Sequence, residues 1–329
     1  MENIASKQQI LTYISVHQKA RVDDLWRHLG FSRQLVQKKL KELVTEKLVI
    51  KSGKPPLVFY QLAVQESLAP VESIPKNLVD FIDKEYLYVS PLGELIYGFE
   101  GFSRWVSSIR EQNNIRRLAQ EYKKTVNTVK EKFNKFGFID ATEKVKQTFP
   151  NTYIDKVYYL DFYALPKFGK TKLGQLLLYS KQAQNYELIR TLSLQVKPKI
   201  QQLLAREKIT AVSFIPPTVP RNIQFIKEFE KILDISLPHI DLSKAYLGDV
   251  PIAQKTLSRL EERVQNASRT IFVRNSAKYE RVLLIDDAVG SGASLNETAK
   301  KLVAGGLAKS VIGVAVVGSY KGFDVIREI

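Results

Sequence analysis

The stretch VLLIDDAVGSGAS, residues 282–294, constrains this chain more than any other part of it. Its four leading apolar residues suit a strand buried on both faces, the kind found in parallel sheets covered by helices. Two carboxylates, Asp286 and Asp287, follow at the strand's carboxyl end, the edge where open α/β sheets bind ligands. Ala288, Val289, Gly290, Ser291, Gly292, Ala293 and Ser294 come next, and a helix is expected from about Leu295. A loop of mostly small residues lets the backbone curl and aim successive N–H groups at one point, where the dipole of the next helix adds positive potential. Ser291 and Ser294 can donate hydroxyl hydrogen bonds to the same phosphate, and the aspartates can accept from vicinal ribose hydroxyls. An acidic pair after a strand also occurs at metal sites, and Gly-Ser-Gly occurs in plain turns. The ordered combination of strand, acidic pair, small-residue loop and helix is what points to a phosphoribosyl group. A Walker loop would need Gly-Lys-Ser/Thr, and a dinucleotide fingerprint would need its glycines before the acidic residue.

At 329 residues the chain is long enough for two or three domains. It has no cysteine, which excludes disulfides, thiolate nucleophiles and cysteine-ligated zinc. No apolar run reaches the ~18 residues of a membrane span. The start, MENIASKQQ, lacks the basic and apolar regions of a signal peptide, so a cytoplasmic protein without membrane contact is expected. The net charge of +16 is unevenly spread. Residues 1–60 hold 11 Lys/Arg against 5 Asp/Glu, residues 61–150 hold 13 against 12, and residues 151–329 hold 26 against 17. Two basic ends flanking a neutral middle favour polyanionic partners.

Residues 1–65 read as helix, small strand, helix, turn, helix and hairpin, the order of a winged helix-turn-helix. Ile10, Leu11 and Ile14 have helical spacing, and residues 20–22 could be a small strand. Asp23 or Asp24 can cap a second helix that Gly30 stops. Ser32 can cap a third, from Arg33 to about Lys47, with Leu35, Val36, Leu40, Leu43 and Val44 on one face. Residues 48–52 and 57–62 read as strands around a Gly-Lys-Pro-Pro turn. Residues 63–75, with Pro70 and Pro75, read as a linker. Residues 76–150 read as a mostly helical linking or dimerisation segment. Within it, a helical pattern over residues 104–136 carries Ile115, Leu118, Tyr122, Val126, Val129, Phe133 and Phe136. Such a stripe seats either on its own domain or on a second copy as a homodimer seam. From residue 151 onward strands expected at 157–162, 211–215, 281–285 and 311–318 alternate with helices, which implies α/β architecture with a mostly parallel sheet.

Residues 282–294 resemble the phosphoribosyl pyrophosphate (PRPP) signature of type I phosphoribosyltransferases. Members usually carry Thr-Thr-Gly-x-Thr where this chain has Gly290-Ser291-Gly292-Ala293-Ser294, and serine keeps the hydroxyl. Within that superfamily the resemblance is to the ComF (competence protein F) group. KLGQLLLYSK, ending at Lys181, is similar to a ComF stretch that ends in lysine. Ile215-Pro216-Pro217-Thr218, followed by Arg221, resembles the pyrophosphate-binding loop and its arginine. Gln254, Leu257, Arg263, Asn266 and Phe272 stand in nearly the ComF order. The resemblance covers residues 151–329 and implies a type I phosphoribosyltransferase fold that binds PRPP with Mg²⁺ on its pyrophosphate and ribose oxygens. Lys181, Arg221, Lys255, Arg259 and Arg263 are then candidates to neutralise the pyrophosphate, beside Pro216, Pro217 and Thr218. The chain departs from the group in lacking the cysteine-rich zinc module. It also has Arg221-Asn222-Ile223-Gln224-Phe225 where ComF proteins have Arg-Gly-Phe-Asn. The tail, residues 319–329, offers no clear base-recognition hood, so no nucleobase is named.

In the third helix Arg33, Gln34, Gln37, Lys38 and Lys41, with Ser32 at its start, face away from Leu35, Leu40 and Leu43, and Lys51 and Lys54 lie on the wing. Arg and Gln can reach base edges, and Lys suits phosphates, so double-stranded DNA is the expected partner. Winged helices also dock proteins, and basic helix faces are often merely solvated. Three functions follow. The first is a transcriptional regulator with PRPP or a related ribose phosphate as effector; its layout resembles the purine operon repressors of Gram-positive bacteria. The second is a working phosphoribosyltransferase with a docking winged helix, and the third a ComF-like accessory protein in DNA handling.

Overall fold

Ile10, Leu11 and Ile14 are fully or almost fully buried on helix α1 (Glu2–His17), which begins a computed structural model of the chain. The structure describes residues 2–17, 19–46, 48–54, 57–63, 74–90, 93–219, 221–245, 260–274 and 277–320, except the side chains of residues 2–5, 16 and 54. Lys255 and Arg259, and most of the expected linker, lie outside the described residues. The chain forms two units, one of residues 1–83 and 87–116, the other of residues 84–86 and 117–329. The expected module 76–150 is therefore shared between the two.

In the first unit α1 is followed by α2 (Val22–Leu29) and α3 (Arg33–Thr45). Helix α2 starts a turn earlier than its aspartates suggested, because Asp24 reaches back to accept from the Arg21 N–H at 2.8 Å. Gly30, at φ 70°, ends it in the left-handed conformation. Ser32 caps α3 as expected, accepting from the Leu35 N–H at 3.2 Å. Strands β1 (Val49–Lys54) and β2 (Leu57–Leu62) form an antiparallel hairpin, with Val49 opposite Leu62. The small strand expected at 20–22 is a single bridge, in which Ala20 and Tyr60 exchange N–H···O bonds of 2.8 and 2.9 Å. Leu25, Val36, Leu40, Leu43 and Val49 complete this core. Leu35 is only half-buried; the position beside Leu40 instead buries Lys39, whose ammonium stays paired with Glu42 at 3.0 Å.

Helix α4 (Lys76–Glu85), the hairpin β3 (Leu87–Val89) with β4 (Leu95–Tyr97), and α5 (Gly98–Ser108) resolve the aromatic and glycine-rich stretch. Gly98, at φ 66°, lets the chain turn so closely onto Asp83 that a Cβ there would meet its carboxylate at 2.4 Å. The Phe99 N–H donates to that carboxylate at 2.7 Å. The single helix expected over 104–136 is broken: α5 stops at Ser108, a 3-10 turn covers Gln112–Asn114, and α6 runs over Ile115–Lys130. Serine and asparagine compete for backbone hydrogen bonds, which outweighs an apolar stripe when the register drifts. Leu118, Tyr122, Val126 and Val129 are buried by the chain's own residues, Tyr122 against the rings of Tyr86 and Phe168, so these positions leave no apolar seam exposed. Phe136 lies past the helix, 41% exposed under the Arg206 guanidinium.

The second unit is built on a five-stranded sheet. After β5 (Ile139–Asp140) and α7 (Thr142–Thr148) come β6 (Lys156–Phe162), the small pair β7 (Ala164–Leu165) and β8 (Gly169–Lys170), and helices α8 (Lys172–Gln182) and α9 (Tyr186–Arg206). Then follow β9 (Ala211–Phe214), α10 (Phe225–Leu233), β10 (Asp241–Lys244), α11 (Leu260–Thr270), β11 (Ile271–Arg274), β12 (Tyr279–Val289), α12 (Ala293–Ala304) and β13 (Ala308–Gly318). The sheet order is β5-β6-β13-β12-β9, with β6, β13, β12 and β9 parallel and β5 an antiparallel edge. Val282 to Ile285 are at most 1% exposed, as a strand covered on both faces requires. The expected mixed α/β architecture with a mostly parallel sheet is therefore present. No helix among the described residues is long and apolar enough to cross a membrane.

Candidate functional site

Strand β12 runs four residues further than its apolar head implied. Asp286, Ala288 and Val289 pair with Ala315, Val317 and Gly318 of β13, so the acidic pair lies inside the strand rather than after it. The neighbouring ladder holds these residues extended despite the poor strand preference of aspartate. Helix α12 begins at Ala293, two residues early, and the loop shrinks to Gly290, Ser291 and Gly292. Gly292 stands at φ 79° as the residue that opens α12, a conformation costly for any side chain.

The carboxyl ends of β12 and β9 wall a cleft of about 230 Å³. Every described residue expected near a ribose phosphate lines it: Asp286 to Ser294, Lys181, Pro216, Pro217, Thr218, Arg221 and Arg263. The loop after β9 and the end of α8 are drawn in by specific bonds. Lys181 meets Asp287 at 2.8 Å, and the Arg221 guanidinium donates to the Lys181 carbonyl. Arg221 thus ties the loop to α8 besides facing the cleft. Ser291 is nearly buried, and its hydroxyl accepts a long bond of 3.4 Å from the Ala293 N–H. Ser294 is half-buried at the first turn of α12, whose positive dipole end forms this wall.

Among the cleft residues not expected at the site are Lys244, Gln224, Phe225, Val219 and Ile226. Lys244 ends β10 and donates to the Thr218 hydroxyl at 2.5 Å. Burial lowers its pKa, and the charges of Asp286 and Asp287 oppose that. It stands more than forty residues from the acidic pair, and no local pattern links the two. Asp286 accepts from the Asp287 N–H at 2.8 Å. Burial, then the adjacent Asp287, push the Asp286 carboxyl well above the ordinary carboxylate range, while Lys181 and Lys244 pull it back. The cleft therefore offers two carboxylates, serine hydroxyls and a helix N-terminus on one strand-loop-helix unit, ringed by Lys181, Lys244, Arg221 and Arg263.

The raised Asp286 value sets a pH dependence. Below the ordinary carboxylate range the group is protonated in both the folded and unfolded chain. As pH rises the unfolded chain releases this proton first, so the group's contribution to stability falls until the raised folded value is passed. Asp286→Asn keeps an acceptor for the Asp287 N–H and removes the buried charge. It is expected to raise the melting temperature by about 2–4 °C at pH 8, roughly 1 kcal/mol, and by nothing at pH 4. Thermal melts at the two pH values check this; an equal shift at both would rule out the charge as the cause.

On the first unit Ser32, Arg33, Gln34, Gln37, Lys38 and Lys41 are all exposed along α3, and Lys51 is exposed on β1. The Lys54 side chain lies outside the described residues. Arg33 reaches Asp23 at 3.4 Å, and Asp23 also accepts from the Trp26 indole at 3.0 Å. That bond, then the charge of Arg33, hold the Asp23 carboxyl below its ordinary value.

No family model matches the chain, and no curated protein matches it. Among solved structures the chain is similar to a hypoxanthine phosphoribosyltransferase from Staphylococcus aureus, at 15% identity over 44% of this chain and 70% of that one. The TM-score is 0.26.

Proposed function

We propose that the chain is a cytoplasmic DNA-binding regulator whose second unit, a ComF-like domain of type I phosphoribosyltransferase fold, holds PRPP or a related ribose phosphate as effector. The observation that carries the reading is the cleft, where Asp286, Asp287 and the 290–294 turn meet four cationic side chains. In this reading the aspartates accept from the ribose 2- and 3-hydroxyls. The Gly290–Ser294 backbone and hydroxyls take the 5-phosphate, and Lys181, Lys244, Arg221 and Arg263 face the pyrophosphate. Mg²⁺ would arrive on the ligand's own pyrophosphate and ribose oxygens.

The helices α1 to α3, the Ala20–Tyr60 bridge and the β1–β2 hairpin follow the winged helix-turn-helix order, which supports α3 as the element that enters the major groove. Its exposed basic edge would then meet phosphates and bases. A mobility shift against genomic DNA fragments at low salt, with and without Mg–PRPP, tests the proposal. The expected result is a shift whose strength changes with PRPP. Failure to bind any duplex would defeat the regulator reading. Pyrophosphate released from PRPP in the presence of a nucleobase panel would replace the sensor with an active phosphoribosyltransferase.

A further inference from the structure

A second cavity, of about 370 Å³, opens within the second unit, lined by α6, the ends of β6 and α8, and α9. That size falls in the range of small-molecule sites, about 300–1,000 Å³. Val126, Val129, Leu160 and Leu165 give it an apolar lining, and Phe133 and Tyr122 an aromatic one. The charges on its wall are of two kinds. Glu85 and Lys130 satisfy each other at 2.5 Å, and Lys172 donates to the Lys84 carbonyl at 3.3 Å. Asp161 and Lys199 differ: both line the cavity, and among the described residues neither forms an ion pair with the other or with a third group.

Each of the two is nonetheless held in place. The Asp161 carboxylate accepts from the Phe162 N–H at 2.7 Å. The Lys199 ammonium donates to the Gly137 carbonyl at 2.9 Å and sits 5.5 Å from the centre of the Phe133 ring. An ammonium has three donors, and a carboxylate accepts at several lone pairs, so both keep capacity for a ligand. Burial raises the Asp161 carboxyl to about 6 and lowers the Lys199 ammonium, so both charges lack the solvation they would have in water. A simple anion would suit Lys199 but meet Asp161 and Glu85; a simple cation would suit Asp161 but meet three lysines. A molecule carrying both charges suits the cavity as it stands.

We infer that this cavity binds a small zwitterion of the α-amino-acid class, its ammonium on Asp161, its carboxylate on Lys199, and an apolar side chain against Val126, Val129 and Leu165. The site is separate from the ribose-phosphate cleft and does not rest on the function proposed for that cleft. Isothermal titration of the whole chain with L-leucine, L-methionine and L-phenylalanine tests it. Saturable binding of at least one is expected. The best ligand's amide, which lacks the carboxylate, and its N-acetyl form, which lacks the ammonium, should each bind at least about ten-fold more weakly. Asp161→Asn and Lys199→Met should weaken binding to a similar degree, while Asp286→Asn with Asp287→Asn should leave it unchanged. No binding of all three amino acids up to concentrations on the order of 10 mM would overturn the inference, as would equal binding of the amide and N-acetyl forms. The derivative comparison uses the unaltered chain, so it stands even where a variant fails to fold.

Discussion

Replacing Asp286 and Asp287 together by Asn is expected to weaken Mg–PRPP binding by about 100-fold or more. A hydrogen bond to a charged acceptor contributes about 1.5–3 kcal/mol, so each lost carboxylate alone is equivalent to roughly ten-fold or more in affinity. The loss should come without collapse of the unit. Asparagine fits the same β12–β13 ladder, and it removes the burial of a charge, then the repulsion from Asp287, that raise the Asp286 carboxyl. A variant that binds its ligand far less tightly while melting no lower is the signature of a pair kept for a ligand rather than for the fold. Calorimetry with Mg–PRPP measures the first effect and a DNA shift assay supplies the control. Retained affinity would remove the aspartates from the site. Loss of DNA binding as well would make them structural.

The second large effect belongs to α3. Lys38→Ala with Lys41→Ala should lower the slope of log affinity for duplex DNA against log salt by about 1.8, near 0.9 for each lost phosphate contact, with similar losses on every sequence. Arg33→Ala should instead cost about 1–3 kcal/mol at a preferred site and relax discrimination there. The 3.4 Å contact of Arg33 with Asp23 offers little resistance, because an exposed pair is worth at most about 1 kcal/mol. Salt titrations of the three variants distinguish the two roles. Slopes and affinities like those of the unaltered chain would show that this face is simply solvated.

The parts of the molecule that were legible in the sequence are those specified locally. Ser32 and Gly30 carry their cap roles in their chemistry, and both act as expected. The apolar run Val282 to Ile285 suits a covered strand, and it forms one. Boundaries set by distant partners were not legible. Asp286 to Val289 remain extended because β13 is beside them, and nothing within 282–294 announces β13. Nothing local marks Lys39 for burial, yet its pairing with Glu42 allows it. The break between α5 and α6 falls before Ile115, where the apolar period starts, so that period carried no sign of it. The candidate cleft was largely visible, since its residues sit in three short motifs. Lys244 was not, because only the fold brings the end of β10 to Thr218.

Helix α8 begins at the second cavity, through Thr171 and Lys172, and ends at the first cleft, through Lys181. Between them Gly174 lies so close to the Tyr163 carbonyl that a Cβ would meet its oxygen at 2.1 Å. That contact seats the first turn of α8 directly on the residue that follows β6. Seven residues separate Gly174 from Lys181, about 10 Å of helix. The two pockets thus share one helix, which meets the second cavity at Thr171 and Lys172 and the first cleft at Lys181.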